Sequence, residues 1–365
     1  MPILTFDNSK KPFFQSVKAS VDSYFKANNL KKTGNWQLFL KAWTLIPAAF
    51  GVYLYLLLGH YSRVGGIFVA IFLGFILVCI AFNVMHDACH NSFSDKKWVN
   101  SVMGLTMNAL GSNAYIWKVK HNIIHHTFTN IDGIDDDIAH SPLLRQCTTQ
   151  KWLPAHRFQF LYMFALYSVS TLSWSLGGDF IKYFRKRVNN TPMRKMDGKQ
   201  HLLFWASKLL YVFFYVWVPI YFLGWQPWLI GFLLIHLTMG LTLSVVFQLA
   251  HMVEKVSFEV ADSSGKVIDS EWAIHEIRTT ANFAMGNKII SWLTGGLNFQ
   301  VEHHLFPQIS HVHYPAISKI VKQQCEVFSL PYNYYPTAWE ALYSHIRLMK
   351  RLGDSPFRDV QPSPL

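Results

Sequence analysis

Charged residues are scarce in this chain. They make up only 15% of its 365 residues, whereas hydrophobic residues account for 51% and aromatic residues for 16%. A typical soluble domain has about 25% charged residues. The shortage argues against an ordinary soluble enzyme and, together with a positive mean hydropathy of +0.17, indicates a membrane protein.

Cysteine is also scarce, and its four positions show no pairing pattern. Cys79, Cys89, Cys147 and Cys325 form no C-x-x-C motif and have no regular spacing. A disulfide framework and a zinc ribbon are therefore not indicated, and we expect four reduced thiols. The first 36 residues contain no apolar core of the secretory type, so we expect no cleaved leader.

Long apolar stretches predict four membrane-spanning helices. Such a helix needs about 20 mostly apolar residues, and stretches near this length lie at residues 42–58, 64–84, 201–223 and 225–250. Very short loops join the first two and the last two. The predicted fold is therefore an all-α integral membrane protein with two helical hairpins. Lys208 lies inside the third span, where we expect its side chain to snorkel toward the end of the helix.

Lys and Arg are distributed very unevenly between the loops. Residues 1–41, 85–200 and 251–365 contain 7, 14 and 10 of them, whereas the two short loops contain only Arg63. This bias of 31 to one predicts that both termini and the long segments lie on the cytoplasmic side. We expect no nucleic acid among the partners.

Other segments complete the predicted layout. Phe158–Gly177 is interpreted as an amphipathic helix at the membrane interface, because a fifth crossing would separate the histidine groups described next, and Val99–Trp117 is a second candidate of this kind. The predicted divisions are a cytoplasmic segment (1–41), a membrane domain (42–345) and a C-terminal tail (346–365) that is loose after Pro356.

Eight histidines stand just beyond the apolar stretches, in three groups and one single position. They are His86 and His90; His121, His125 and His126; His303 and His304; and His251. Imidazole is the commonest metal ligand in proteins, and histidines four residues apart share one helix face. Eight ligands are too many for one ion. The pattern predicts a two-metal centre in a cytoplasmic cap, with His126 about 100° round its helix and able to reach a second ion.

Polar residues near these groups are candidates for supporting roles. A ligating histidine commonly donates its second N–H to a carboxylate, whereas a solvated acidic turn is the plainer interpretation of Asp136 and Asp137. Gln300 opens the third group and is expected to act through a bound water or to orient a neighbour. The remaining candidates are Asp87, Asn130, Glu254 and Glu302.

These motifs resemble the membrane fatty acid desaturase family. His86-Asp-Ala-Cys-His90, His121-Asn-Ile-Ile-His125-His126 and Gln300-Val-Glu-His303-His304 match its three histidine boxes in order and spacing, and the similarity covers about residues 41–315. The resemblance implies two irons held by the box histidines and His251, with O2 as oxidant and two electrons per turnover. The glutamine of the third box resembles the front-end acyl-lipid branch, which inserts a cis double bond between an existing one and the carboxyl end.

Many front-end members carry a haem domain with a His-Pro-Gly-Gly loop, and this sequence contains no such loop. The resemblance then implies a separate electron donor, a cytochrome b5 or a ferredoxin, which a basic surface would steer. It also favours a bacterial inner membrane over the endoplasmic reticulum.

Several alternatives stay open at this point. The substrate is a fatty acyl lipid or an acyl-CoA, drawn into an apolar tunnel whose candidate walls include Trp117 and Trp292. A hydroxylase or ketolase on the same frame differs only in its product. A zinc-dependent membrane receptor or hydrolase is the third hypothesis, although zinc prefers about four ligands.

Overall fold

A computed structural model describes residues 5–7, 11–138, 141–189, 191–260, 267–268 and 270–354. Helices dominate this part of the chain, as the composition predicts. In order they are α1 (Pro12–Ala27), α2 (Trp36–Leu58), α3 (Arg63–Cys89), α4 (Lys97–Gly104), α5 (Thr106–Ala109), α6 (Ala114–Lys118), α7 (Gln159–Ser168), α8 (Ser170–Ser173), α9 (Asp179–Arg185), α10 (Gly198–Leu223), α11 (Trp225–His251), α12 (Trp272–Thr279), α13 (Lys288–Leu293), α14 (Gln300–Leu305), α15 (Tyr314–Val327) and α16 (Ala338–Asp354).

The strands of the described residues are two-residue bridges between loops. They are β1 (Thr5–Phe6), β2 (Ile131–Asp132), β3 (Arg187–Val188), β4 (Thr191–Pro192), β5 (Glu259–Val260), β6 (Val267–Ile268), β7 (Asn282–Phe283) and β8 (Tyr334–Tyr335). The pairs β1–β6, β2–β5 and β7–β8 are parallel, and β3–β4 is antiparallel. The β2–β5 pair ties the loop after the second histidine box to the loop after α11.

Within the described ranges, α2, α3, α10 and α11 are long and apolar enough to cross a membrane. They contain the four predicted apolar stretches, so the structure confirms a helix of sufficient length at each, and they begin up to six residues earlier. Capping explains two of the starts. Asn35 Oδ1 accepts the Gln37 N–H before α2, and Ser62 Oγ accepts the Gly65 N–H before α3. Gly224, with φ +80°, makes the one-residue turn between α10 and α11.

Two glycines let helices approach α11 closely. A Cβ on Gly74 of α3 would lie 2.8 Å from the Ile235 carbonyl oxygen, and one on Gly240 would lie 2.2 Å from the Ser168 carbonyl oxygen. Small residues of this kind are typical of close helix packing in membranes. The helices α7 and α8, within the predicted interfacial segment, therefore lie directly against α11.

Two interpretations of the sequence are wrong. The segment Val99–Trp117 is not one amphipathic helix but three short ones, α4 to α6, interrupted at Gly111, which has φ +94°. The Lys208 side chain does not snorkel. It is buried and pairs with the carboxylate of Asp179 (2.9 Å), the first residue of α9.

We call the described segments outside the four long helices the cap. Along α1, Phe13, Val17, Val21 and Phe25 are buried against α12, α14 and α15. The Glu271 carboxylate accepts the N–H of Phe14 at 2.7 Å and so caps the first turn of α1. Part of the predicted segment 1–41 is therefore built into the cap core.

The chain also stays folded beyond the predicted start of the tail. α16 continues to Asp354, and its Leu348, Met349 and Leu352 are buried in a cluster with Met163 and Tyr167. Residues 346–354 thus belong to a packed helix. Residues 355–365, including the tail predicted after Pro356, lie outside the described residues.

The packing at Gly240 generates a stability prediction. Gly240→Ala places a methyl group inside contact distance of a backbone carbonyl, so we expect destabilisation by roughly 1–3 kcal/mol and a lower midpoint of thermal unfolding in detergent. Gly231→Ala on the same helix is the control, because no atom lies within 4 Å of its added Cβ. Equal midpoints for the two variants would contradict the close contact.

Candidate metal centre

All eight histidines of the predicted set converge at one end of the long helices. They come from the end of α3, the segment after α6, the end of α11, and α14. Ring centroids lie 4.5 Å apart for His86 and His303, and 4.3 Å apart for His126 and His304. All eight side chains are buried.

Their ring nitrogens fall into two overlapping groups. His86, His90, His121 and His303 offer nitrogens within 4.8 Å of one another, and so do His125, His251 and His304. His126 joins the groups, because its nitrogen lies within the same distance of those of His303 and His304. The arrangement has the form of two adjacent metal sites.

Hydrogen bonds hold three rings by one nitrogen each. His125 Nδ1 lies 3.0 Å from Asp135 Oδ2, His304 Nδ1 lies 2.7 Å from Glu276 Oε2, and His303 Nδ1 lies 3.1 Å from the Tyr314 hydroxyl. A partner on Nδ1 fixes the tautomer and turns Nε2 toward the centre.

The ring nitrogens that have no hydrogen-bond partner test whether metal ions fit this site. Among the eight predicted ligands, six buried ring nitrogens have no hydrogen-bond partner in the described structure: His90 Nε2, His125 Nε2, His126 Nδ1, His251 Nδ1, His303 Nε2 and His304 Nε2. Burying so many polar atoms without partners is costly, and metal coordination would satisfy them together. A nitrogen-rich donor set suits iron, zinc or copper. The residues fit the predicted two-metal centre.

The protonation of the rings is consistent with ligation. Burial, with neighbouring histidines, holds the pKa values of His90, His121, His126, His303 and His304 well below the usual range, so these rings are neutral. Burial also lowers the pKa of His125, but Asp135 and Asp137 outweigh it and the net shift is upward. Metal ligation requires the neutral imidazole.

Wide helical turns position two of the boxes. The helix α3 contains a π-helical turn at Ala81–Met85, just before His86, and α6 continues into a π-helical segment at Val119–His125. In that segment the His126 N–H bonds to the His121 carbonyl, five residues back, and the two Nε2 atoms lie 3.2 Å apart. The prediction placed His126 about 100° round an α-helix, whereas this segment is π-helical and brings its Nε2 beside that of His121; the grouping of His126 with His303 and His304 agrees with its predicted reach toward a second ion. Such turns occur frequently at functional sites.

The carboxylates proposed from the sequence mostly have other partners. Asp87 contacts His311 and Ser310, Asp136 pairs with Lys182, Glu254 pairs with Arg347, and Glu302 accepts hydrogen bonds from Asn282 and Tyr332. Burial raises the pKa of Glu302 to about 7. None of these four carboxylates contacts a box histidine within the described chain. Asp137 lies 3.7 Å from His125 Nδ1, so it is the nearest of the predicted set.

The two amides lie beside His251. Asn130 Nδ2 donates to the His251 carbonyl oxygen at 2.8 Å, which holds the end of α11 rather than a ring. The Gln300 amide nitrogen lies 2.8 Å from His251 Nε2. The Gln300 side chain thus contacts the His251 ring directly.

Two of the supporting residues are not predicted from the sequence, and the third is one of several acidic candidates there. Asp135 stands in the acidic run after the second box but was not preferred over its neighbours, and Glu276 and Tyr314 belong to no recognisable motif. Burial raises the pKa of Glu276 well above its usual range, while Thr129 donates to its Oε2 at 2.8 Å. The sequence offered one signal for Glu276, which is the His-Glu dipeptide at 275–276 within an amphipathic helix.

An apolar cavity of about 270 Å³ adjoins the histidines. Its lining includes His86, His121 and Gln300 on one side and Leu243 and Phe247 of α11 on another. Trp117 also lines it and stacks on His121 with centroids 4.3 Å apart. The predicted Trp117 wall is confirmed, whereas Trp292 is not among the lining residues. The cavity can present an apolar chain to the two metal sites.

The Glu276 contact generates a prediction about metal affinity. Glu276→Gln replaces one oxygen of the carboxyl group that orients His304 with an amide nitrogen, so we expect metal affinity to fall about 10- to 100-fold, measured as transition metal per chain across a series of chelator concentrations. Glu302→Gln is the control, because this equally buried carboxylate touches no box histidine. Equal losses in both variants would assign the effect to folding instead.

Comparison with known proteins agrees with this geometry. Residues 62–336 match the family model described as "Fatty acid desaturase". The chain is 32% identical over 346 residues to the sn-1 linoleoyl-lipid 6-desaturase of Synechocystis sp., covering 94% of this chain and 96% of that protein. The corresponding enzyme of Arthrospira platensis is also 32% identical, with 94% and 93% covered.

A relative outside these bacteria gives the same result. The acyl-lipid (8-3)-desaturase of Physcomitrium patens is 32% identical over 356 residues, covering 96% of this chain and 74% of that protein. The match extends across the spans and all three histidine boxes. The resemblance noted in the sequence is therefore confirmed: this chain belongs to the fatty acid desaturase family and is an oxidoreductase of the membrane.

Proposed function

We propose that this protein is an O2-dependent front-end acyl-lipid desaturase that forms a cis double bond at a di-iron centre. The observation that carries the proposal is the convergence of eight buried imidazoles from four parts of the chain. The proposed iron ligands are His86, His90, His121, His125, His126, His251, His303 and His304.

Iron at these sites would supply, with O2, the oxidising power needed to remove hydrogen from an unactivated methylene, which zinc lacks. The protein's own residues orient and protect the centre. Asp135, Glu276 and Tyr314 hold the rings in place, and the complete burial of these rings keeps water away.

The cavity beside the histidines is the proposed site of the acyl chain. Its walls are mainly apolar, so they would orient a hydrocarbon chain without reacting with it. Trp117 and Phe247 flank the proposed ligands His121, His125 and His251. A chain lying between them would place a methylene pair next to the irons.

The proposed substrate is a fatty acyl lipid that already carries a double bond. The names of the Synechocystis and Physcomitrium relatives, a linoleoyl-lipid 6-desaturase and an acyl-lipid (8-3)-desaturase, support this substrate class. We propose that the new bond forms on the carboxyl side of the existing one.

We propose a topology of two helical hairpins, with both termini and the histidine cap in the cytoplasm. The bias of 31 to one in loop Lys and Arg supports this orientation, and the collection of all the boxes at one end of the helices agrees with it. Relatives from Synechocystis and Arthrospira support a bacterial membrane. A separate acidic donor, a cytochrome b5 or a ferredoxin, would bind the basic cytoplasmic surface.

Loss of one proposed ligand tests the function. In a host that lacks polyunsaturated lipids, we expect the wild-type protein to produce a new double bond and His125→Ala to produce none, because both metals depend on the same ring cluster. Fatty acid profiling by mass spectrometry measures the product. His60→Ala is the control, since this exposed histidine lies in the loop between α2 and α3. Undiminished product from His125→Ala would refute the assignment, and a hydroxylated product would favour the hydroxylase alternative.

Metal analysis tests the cofactor independently of the product. We expect about two irons per chain in protein purified from iron-replete cells, because two groups of ligands are present. Chelation should abolish activity, iron should restore it, and zinc should not, since zinc has no redox chemistry. A single zinc per chain would instead support the receptor or hydrolase hypothesis.

A further inference from the structure

A second cavity lies among the long helices, apart from the histidine centre. Its volume is about 780 Å³, whereas the cavity beside the histidines has about 270 Å³. Residues of α2, α3 and α10 line it, together with α5 and the leucines on either side of α5. We call it the inter-helix groove. None of the eight proposed ligands is among its described lining residues, so it is a site distinct from the metal centre.

The inter-helix groove runs along helices that are long and apolar enough to cross a membrane. α2, α3 and α10 are three of the four such helices in the described ranges. On α2 the lining extends from Ile46 to Leu58, a rise of about 18 Å at 1.5 Å per residue. The hydrocarbon core of a bilayer is about 30 Å thick, so lipid chains from each side reach about half that depth. The groove is therefore long enough to hold one such chain.

The groove is buried at its base and open along its edges. Leu73 and Leu77 of α3 are buried within it, whereas Phe50 of α2 and Leu210 of α10 are 63% and 55% exposed. On membrane-spanning helices, such exposed side chains face hydrocarbon. A lipid chain can thus enter the groove from the side, without passing through the cap.

Polar side chains around α5 are committed to protein partners. Asn108 Nδ2 donates to Ser207 Oγ at 3.0 Å, and Thr106 Oγ1 donates to the Met103 carbonyl oxygen at 2.6 Å. A water molecule held in a cavity needs about two to four polar partners. Most of the remaining lining is apolar. The groove therefore suits an apolar ligand rather than water.

A hydrogen bond ties two walls of the groove together. The Tyr53 hydroxyl of α2 donates to the Phe214 carbonyl oxygen of α10 at 2.5 Å, and the Tyr53 and Tyr215 rings lie with their centroids 6.3 Å apart. All three residues line the groove. A transmembrane helix is about 10–12 Å across with its side chains, so it could fill the groove only by parting α2 from α10. A single hydrocarbon chain, which needs contact distances of only about 4 Å, requires no such separation.

The helix α5 separates the groove from the cavity beside the histidines. Leu110 lines both, whereas Met107 lines only the cavity and Ala109 only the groove. A chain in the groove would therefore pack against the far side of a wall that faces the proposed acyl-chain site. The two cavities thus share a wall but hold different ligands.

We propose that the inter-helix groove binds one acyl chain of a bilayer lipid as a structural ligand that is not the substrate. The chain packs between α2, α3 and α10, where it replaces the side-chain contacts that a closer helix packing would supply. It also supports α5. This inference goes beyond the proposed desaturase function and does not depend on where a double bond forms.

Photochemical labelling of the full chain in lipid bilayers locates the ligand. The probe is phosphatidylglycerol with two saturated chains, one of which carries a diazirine, and peptide mass spectrometry maps the labelled residues. The probe has no double bond, so it is not a substrate of the proposed enzyme. We expect the label to concentrate on groove residues such as Leu57 and Phe214. Ala206→Phe, which places a ring in the groove, should lower this labelling about tenfold or more.

Ala48→Phe is the matched control for the filling variant. It adds the same ring to α2 at an exposed position that does not line the groove, so labelling should stay at the wild-type level. Ala49→Phe fills the groove from the opposite wall and replaces Ala206→Phe if that variant does not fold.

Thermal unfolding measures the contribution of the chain to stability. Wild-type protein stripped of lipid in detergent should unfold a few degrees lower and should recover when dipalmitoyl phosphatidylglycerol is added, because a ligand of the native state raises its stability. Ala206→Phe should respond less, whereas Ala48→Phe should respond like the wild type.

Three results would overturn the inference. The first is label spread evenly over the exposed faces of the spans, and the second is undiminished groove labelling in the filled variant. The third is a dimer in native mass spectrometry whose groove peptides cross-link to a second copy of the chain. Each readout is independent of catalysis, so an inactive protein that still labels in the groove would contradict the proposed function alone.

Discussion

The contact between α3 and α11 is the constraint on which the rest of the structure depends. The two helices meet closely at Gly74 and Ile235. His86 lies in the last turn of α3, and His251 is the last residue of α11. A helix rises 1.5 Å and turns about 100° per residue, so a slip of one residue would move the His251 ring out of a group whose ring nitrogens lie within 4.8 Å of one another. The membrane helices thus fix the level of the centre, and the cap supplies the remaining rings.

The cap positions its histidine rings by burying the carboxyl groups that contact them. Glu276 and Asp135 are completely enclosed, and each is committed to one imidazole. A carboxylate in such a place is tolerated only with charge or hydrogen-bond partners. The same enclosure keeps most of the rings neutral. Folding of the cap and assembly of the metal sites are therefore expected to be one cooperative event.

The spans and the histidine boxes could be predicted because their signals are local. Apolar length reveals a membrane helix, and the spacing of His86 from His90 reveals a shared face. The burial of α1 was also readable, since Phe13, Val17, Val21 and Phe25 recur every four residues. The bounds of α4 to α6 were not, because Gly111 interrupts a stretch whose composition is continuous.

Side-chain contacts that depend on the three-dimensional fold could not be predicted from the sequence. Asp135, Asp136 and Asp137 are chemically alike, and only the fold turns the first toward His125 and the second toward Lys182. Lys208 was misjudged for the same reason, since its counter-ion belongs to a different helix. Glu276 and Tyr314 acquire their roles through packing against α14.

The wide turn at Val119–His125 has a separate consequence for the spacing of the histidines in this box. Because His126 follows His121 by five residues, a regular α-helix over the same sequence would turn it about 140° away from His121, and the wide turn is what keeps the two rings on one face. The spacing of that motif is thus a geometric necessity, and length here is as informative as residue identity.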